Sequence, residues 1–471
     1  MVTFSTWDIF IILSYIVLII IVGFRAAKKS KNSKEEYLLA SRTLTLPIFV
    51  ATLVSTWYGG VLGVGEFSYK FGISNWIVFG VPYYIFAIIF ALFIAKKVRA
   101  TNLVSIPDRL FQMYDMKTSL FGAFLTFILA SPAPYILMLG ILVQLIFQIS
   151  LTTSIIISTI LTTIYLISGG FRSDVYVNSV EFILMFVGFF VIIIFSYTRF
   201  GGFDFLSAKV PPLLFTWDGG NSFQYIVVWF FIASLTLVDP SFYQRCYAAK
   251  NSSTARNGIL LSVLFWMVFD FMTCTIALYA RAAIPNISNP IFTYPLFAEI
   301  SLPSIAKGIF YVGMLATIMS SLSSFTFTSA LAIGNDMIGR LLHTEDEEIR
   351  NNAIQVWTKI GIVVTSIIGI FFALWFPSVV ELWYVIATAV VPGLLVPLLT
   401  TYFQKLKIST TFAFAAMVLG FFSSLCWLIG GFYNDGKYWF SIEPMYPGLF
   451  VSLIVWGIGK LKEKKSSISS L

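Results

Sequence analysis

The sequence is poor in charge and nearly without histidine: 11% of its 471 residues are Asp, Glu, Lys or Arg, one is His and three are Cys. The scattered Cys246, Cys274 and Cys426 with a single His make no Cys/His zinc site, CxxC redox pair or disulfide framework, so soft-ligand metal chemistry is excluded. What replaces charge is apolar surface, with 58% hydrophobic and 17% aromatic residues and a mean hydropathy of +0.89. That composition is one of a polytopic membrane protein. If each span takes about 20 apolar residues, little chain is left for a large extramembrane enzyme, and no enzymatic role is expected. The net charge of +8 does not point to nucleic acid, because the basic residues are spread between apolar runs rather than gathered on one solvated face.

Windows of mostly uncharged residues predict an all-α fold with thirteen transmembrane helices. Span 1 is Trp7 to Phe24, span 2 Leu46 to Glu66, span 4 Leu120 to Ser150, span 7 Phe223 to Val238 and span 9 Ile309 to Leu331. Spans 5 and 6, Thr152 to Ser168 and Val175 to Tyr197, are expected to be separated by a short loop. Span 4 carries Pro132 and Pro134 and is expected to kink. Span 1 is not read as a signal peptide, since its charges follow it. Those charges, Arg25, Lys28, Lys29, Lys31, Lys34 and Arg42, mark that side as cytoplasmic. Alternating sides through thirteen spans then places 24 of the 30 Lys and Arg inside, which predicts an outside N-terminus and a cytoplasmic C-terminus. The absence of a targeting peptide and the short loops fit a bacterial inner membrane.

Breaks in spanning helices point to function, because irregular backbone is tolerated only where it is buried in protein or lines a cavity. Span 2 contains Ser55-Thr56-Trp57-Tyr58-Gly59-Gly60, with Gly63 and Gly65 beyond. The alternative for these glycines is close approach by a neighbouring helix. Span 7 holds Ser234 and Thr236 and loses its helix near Pro240. Span 9 has eight hydroxyl side chains between Thr317 and Ser329, and Thr317, Ser320, Ser321 and Ser324 share one face. Such a neutral oxygen stripe suits a weakly held hard cation such as Na⁺, or hydrogen bonding between helices. Spans 2 to 6 and 7 to 11 form two runs of five. Five is odd, so the second run enters from the opposite side as an inverted repeat, with the break in the first helix of each run.

Four segments in order carry a family resemblance over roughly residues 35 to 340. They are Glu35 to Arg42, Gly169 to Glu181, Asp239 to Arg245 with Ala248-Ala249-Lys250, and Ala316 to Ser321 followed by Asn335-Asp336. Together they resemble the sodium:solute symporters, a family that includes proline, pantothenate, sialic acid, sugar and choline transporters. The resemblance implies a leucine-transporter-type five-plus-five core with one extra N-terminal helix and two extra C-terminal helices. The expected divisions are 1–45, the first repeat 46–200, the second repeat 201–404, and 405–471. It also implies a co-transported Na⁺ on the Thr317 carbonyl and the Ser320 and Ser321 hydroxyls. Span 2 would add the Ser55 and Tyr58 carbonyls if aligned on Trp57, the preferred anchor, or those of Leu53 and Thr56 if aligned on Gly63. A second Na⁺ site in some members would use Ser320, Ser323 and Ser324 with a signature Asp. Asn178 stands there in this sequence, which favours one Na⁺ per cycle.

The expected function is Na⁺-coupled import of a small organic solute by alternating access, the solute lying beside Trp57, Tyr58, Gly59, Gly60, Ser234 and Thr236. With no Arg or Lys expected inside the core spans, an anionic solute would depend on helix N-termini, whereas paired aromatics could cage an amine. The Thr-Trp-x-Gly-Gly string is similar to that of choline-transporting members. Ile232 stands where sugar-transporting members have Asn. One alternative is coupling to protons through Glu181 or Asp270, acids placed inside spans. Glu66 reads as a solvated mouth residue. Another alternative is a channel or sensor on a transporter scaffold, against which stands the short tail from Lys460 to Leu471. Beyond the solute and the lipid bilayer, no partner is implied.

Overall fold

The computed structural model describes residues 2–28, 33–376, 378–434 and 437–469, and side chains as far as 464. Lys29 and Lys31 of the basic loop, and Ser470 and Leu471 of the tail, lie outside the described residues. The regular structure of the described residues is helical, apart from one bridge between Leu44 and Ala249. The long helices are α1 (Thr6–Lys28), the bent pair α2 (Leu46–Trp57) and α3 (Val61–Phe71), α4 (Trp76–Ala100), and α5 (Met116–Leu129) with α6 (Ala133–Phe147). They continue as α7 (Leu151–Phe200), α8 (Phe223–Ile232) with α9 (Pro240–Ala248), and α10 (Ser252–Ala283). The last are α11 (Ala306–Leu331), α12 (Glu347–Trp375), α13 (Val379–Thr400), α14 (Thr410–Phe432) and α15 (Met445–Ser469). Among the described residues, ten runs are long and apolar enough to cross a bilayer, or eleven with the bent pair α2–α3. The chain is a multi-pass membrane protein.

The expected loop between spans 5 and 6 is helical instead, within the 50-residue run α7. A straight helix of that length would extend about 75 Å, more than twice the roughly 30 Å hydrocarbon core. Gly170 interrupts it, with φ 54° and ψ −142°, a backbone state that is essentially glycine-only. A Cβ there would also lie 2.3 Å from the Tyr37 carbonyl oxygen. Turn chemistry condensed into one residue leaves no loop composition to read. The Pro132 break falls where the sequence places it, between α5 and α6, because proline removes a ladder hydrogen bond and clashes with the preceding turn.

Helix α11 is the hub. Every residue from Ala306 to Leu331 except Ile309 is buried, and the helix packs on α1, α2, α6, α7 and α12. The outer helices carry the reverse pattern: Phe10 and Val17 on α1, Val268 and Phe271 on α10, and Ile367 and Phe371 on α12 are exposed. A continuous apolar exterior around a hydroxyl-rich centre suits lipid as the surrounding solvent. Below the hub, the Leu44 amide donates to the Ala248 carbonyl at 3.1 Å and the Lys250 amide to the Leu44 carbonyl at 2.9 Å. Arg42 donates to the Tyr247 carbonyl at 3.1 Å. The Ala248-Ala249-Lys250 segment thus anchors the chain entering α2 to the end of α9.

Candidate functional site

Two broken spans frame the centre. Helices α2 and α3 meet at 60° around Tyr58, Gly59 and Gly60. Neither glycine adopts a positive φ; both are required by close approach. A Cβ on Gly59 would lie 2.1 Å from Ser321 Oγ, and one on Gly60 would lie 2.1 Å from the Trp383 ring. The second break is a 3₁₀ stretch, Ala233–Leu237, between α8 and α9. There Pro240 occupies the first turn of α9 and the Asp239 carboxylate accepts from the Ser241 amide at 2.7 Å, capping the new helix.

The hydroxyl stripe of α11 faces the first break. Ser320 Oγ donates to the Ser55 carbonyl at 2.8 Å and is also 2.9 Å from the Thr317 carbonyl. Ser321 Oγ donates to the Thr56 carbonyl at 2.5 Å. The structure therefore brings Ser55, Thr317, Ser320 and Ser321 together at fully buried positions. Thr56, from the alternative alignment, joins them through Ser321, whereas Leu53 is buried with no such hydrogen bond among the described residues. These groups are neutral oxygens, those of Ser55 and Thr56 next to the break that ends α2, a donor set that fits a hard cation. Among the described residues no three His, Cys, Asp or Glu side chains gather as a metal cluster.

One turn along α11 lies a charged group that the sequence reading missed. A carboxylate lies beside Asn178 all the same. Asp174, four residues earlier on the same face of α7, accepts from Ser323 Oγ and Ser324 Oγ, each at 2.7 Å. The expectation that no basic residue enters the core is also corrected. Arg245 of α9 is fully buried, 3.6 Å from Asp174, and donates to Thr56 Oγ1 at 2.6 Å and Ser324 Oγ at 2.8 Å. Asn178 donates to Ser324 Oγ at 2.8 Å. The i−4 spacing of Asp174 was the available signal; Arg245 gave none, because its partners lie on other helices.

Beside the breaks is a cavity of about 150 Å³, walled largely by aromatic rings. Trp57, Tyr58 and Gly60 line it as expected. Gly59 faces Ser321 instead. Ser234 and Thr236 are not among its lining residues; both hydroxyls are buried without a hydrogen-bond partner among the described residues. From that span Ile232, Leu235 and Asp239, spaced along one face, point inward. Trp57 lies 5.5 Å from Trp266 and 5.5 Å from Tyr83 between ring centroids, and Tyr135 is 6.2 Å from Trp383. Among 48 Phe, 22 Tyr and 12 Trp, nothing in the sequence distinguishes Tyr83, Trp266 or Trp383 from their neighbours.

The three flagged acids take different places. Asp270 lines the cavity and accepts from the Tyr84 phenol. Glu181 accepts from the Tyr15 phenol at 2.9 Å, outside the cavity, and its other oxygen has no hydrogen-bond partner among the described residues. Glu66 is a partly exposed residue paired with Lys70 at 2.6 Å.

The family model described as the sodium:solute symporter family matches residues 37–420. The human high affinity choline transporter 1 is 24% identical, the match covering 93% of this chain and 79% of that protein. The sodium/pantothenate symporter of Haemophilus influenzae is also 24% identical, over 94% of this chain and 93% of its own. In three dimensions the chain is similar to a Na⁺-coupled sialic acid symporter solved in a substrate-bound, outward-open state, with a TM-score of 0.81, 15% identity and 98% of each chain covered. At that identity the likeness speaks for the fold.

Proposed function

Since the chain belongs to the sodium:solute symporter family, we propose that it imports a small organic solute coupled to Na⁺ by alternating access. The contact that carries this reading is Ser320 Oγ on the Ser55 carbonyl at 2.8 Å, which joins the hub helix to the broken one. Na⁺ is held by the carbonyls of Ser55, Tyr58 and Thr317 and the hydroxyls of Ser320 and Ser321. Each serine turns a lone pair toward the ion in place of donating to a carbonyl. The ion bridges α2 and α11, and its differential affinity for two packings of these helices is what shifts the equilibrium between them. The solute sits in the adjoining cavity against Trp57, Tyr58 and Gly60.

In this reading the chain spans the membrane thirteen times, α7 counting twice through Gly170 and α15 as the last span. Residues 46–200 and 201–404 are the inverted repeats, and the flanking divisions 1–45 and 405–471 lie outside them. The N-terminus is outside and the C-terminus cytoplasmic, in a bacterial inner membrane. The buried Arg245 already neutralises Asp174, which supports one Na⁺ per cycle. A 100 mV potential acting on one Na⁺ supplies about 2.3 kcal/mol, and a tenfold concentration ratio about 1.4 kcal/mol. Together these support accumulation of a neutral solute by several hundredfold.

Proton coupling is a second reading, favoured by one observation: the Glu181 oxygen that has no partner among the described residues, beside Tyr15. Uptake into proteoliposomes under separate Na⁺ and pH gradients decides between the two. The Na⁺ reading requires accumulation with the Na⁺ gradient alone; accumulation with only the pH gradient establishes the other.

A further inference from the structure

We propose that the transported solute is a small organic cation whose positively charged nitrogen is held by Asp270. This names the solute class of the cavity and rests on the transport reading above.

The cavity is lined by two carboxylates, Asp239 and Asp270, and by no Lys, Arg or His. They are not equivalent. Asp239 caps α9, its Oδ1 accepting from both the amide and the hydroxyl of Ser241. Asp270, 4% exposed, has one hydrogen-bond partner among the described residues, the neutral Tyr84 phenol, and no ion pair. Arg245, the fully buried cation of the core, lies with Asp174 and is not among the cavity's lining residues. A carboxylate in that setting lacks the opposite charge that burial demands, and an ammonium group in the cavity supplies it.

The walls favour the same chemistry. Trp57, Tyr83, Trp266 and Trp383 all line the space, and aromatic faces attract a desolvated cation through the ring quadrupole. An anion would meet two carboxylates without a compensating base, at a depth where repulsion is poorly screened. A neutral solute would leave Asp270 as it stands. Solute specificity thus follows from charge at one atom and shape elsewhere. A cationic solute moving with one Na⁺ carries two positive charges inward per cycle.

The test is equilibrium binding to the purified full chain in nanodiscs at saturating Na⁺, using a panel of ammonium compounds including tetramethylammonium, choline and primary amines. Each is paired with its uncharged carbon isostere, such as 3,3-dimethylbutan-1-ol for choline, and pantothenate serves as the anionic probe. The proposal predicts that at least one ammonium compound binds ten-fold or more tightly than its isostere. Asp270→Asn should remove that difference and Asp270→Glu restore part of it. Pantothenate or an isostere binding as tightly as the cation, an undiminished preference in Asp270→Asn, or no binding by any ammonium compound overturns it. A Na⁺-specific rise in the melting temperature, measured without solute against K⁺, reads the ion site separately. If Na⁺ stabilises the chain while the cation preference is absent, the solute class fails and Na⁺ binding stands.

Discussion

Ser320 on α11 reaches the main-chain carbonyl of Ser55 on α2 at 2.8 Å, tying the buried hub helix to the helix that breaks one turn later. A hydroxyl in that position can donate to the carbonyl or turn its oxygen to an ion shared with it. Removing it tests the ion site without disturbing charge.

Ser320→Ala therefore raises the Na⁺ concentration for half-maximal uptake. The loss of one hydroxyl ligand is worth about 1–2 kcal/mol, or roughly five- to thirty-fold in apparent Na⁺ affinity. Ser321→Ala should act in the same direction. An unchanged Na⁺ dependence in both, measured as initial uptake rate against Na⁺, removes the assignment.

Gly60→Ala sets a methyl 2.1 Å from the Trp383 ring, so the ring must move in a cavity it helps to line. Solute KM should rise at least several-fold while the Na⁺ concentration for half-maximal uptake changes less. Gly59→Ala meets Ser321 Oγ instead, and its larger effect falls on Na⁺. Reversal of that pattern would separate the two glycines from their assigned neighbours.

Breaking the buried Arg245–Asp174 pair strands one charge in the core. Arg245→Gln and Asp174→Asn should each cost about 3–5 kcal/mol, read as loss of the folded species in detergent thermal melts. Combining them should recover part of that loss, because neither charge is then unpaired. Additive losses would mean that the pair is not coupled.

Gly170→Ala demands a side chain where φ is 54° and the Tyr37 carbonyl lies 2.3 Å from the added carbon. The backbone conformation alone costs about 1–3 kcal/mol. A fall in melting temperature with substrate and ion affinities retained among the folded molecules is the expected outcome.

The sequence exposes what depends on local chemistry. Gly59-Gly60 and Pro240 mark the two breaks by their place in apolar runs, and Ser320 and Ser321 are visible as a stripe because helical periodicity preserves their spacing. Gly170 is legible as a glycine but not as the sole interruption of a 50-residue helical run. Contacts across helices are harder to see. Arg245 reads as a loop cation until α9 carries it to Asp174, and Trp383 reads as one apolar residue among many until Gly60 admits its ring. Ser234 and Thr236, polar in an apolar run, suggest a solute wall, but Ile232, Leu235 and Asp239 line the cavity instead.

The decisive measurement is initial-rate uptake of a labelled solute panel into proteoliposomes with an inward Na⁺ gradient, against equimolar K⁺, at equal pH on both sides. Concentrative uptake that requires Na⁺, and whose Na⁺ dependence shifts at least five-fold in Ser320→Ala, is the predicted result. Uptake that is indifferent to Na⁺ and follows a proton gradient instead would contradict Na⁺ coupling through α2 and α11.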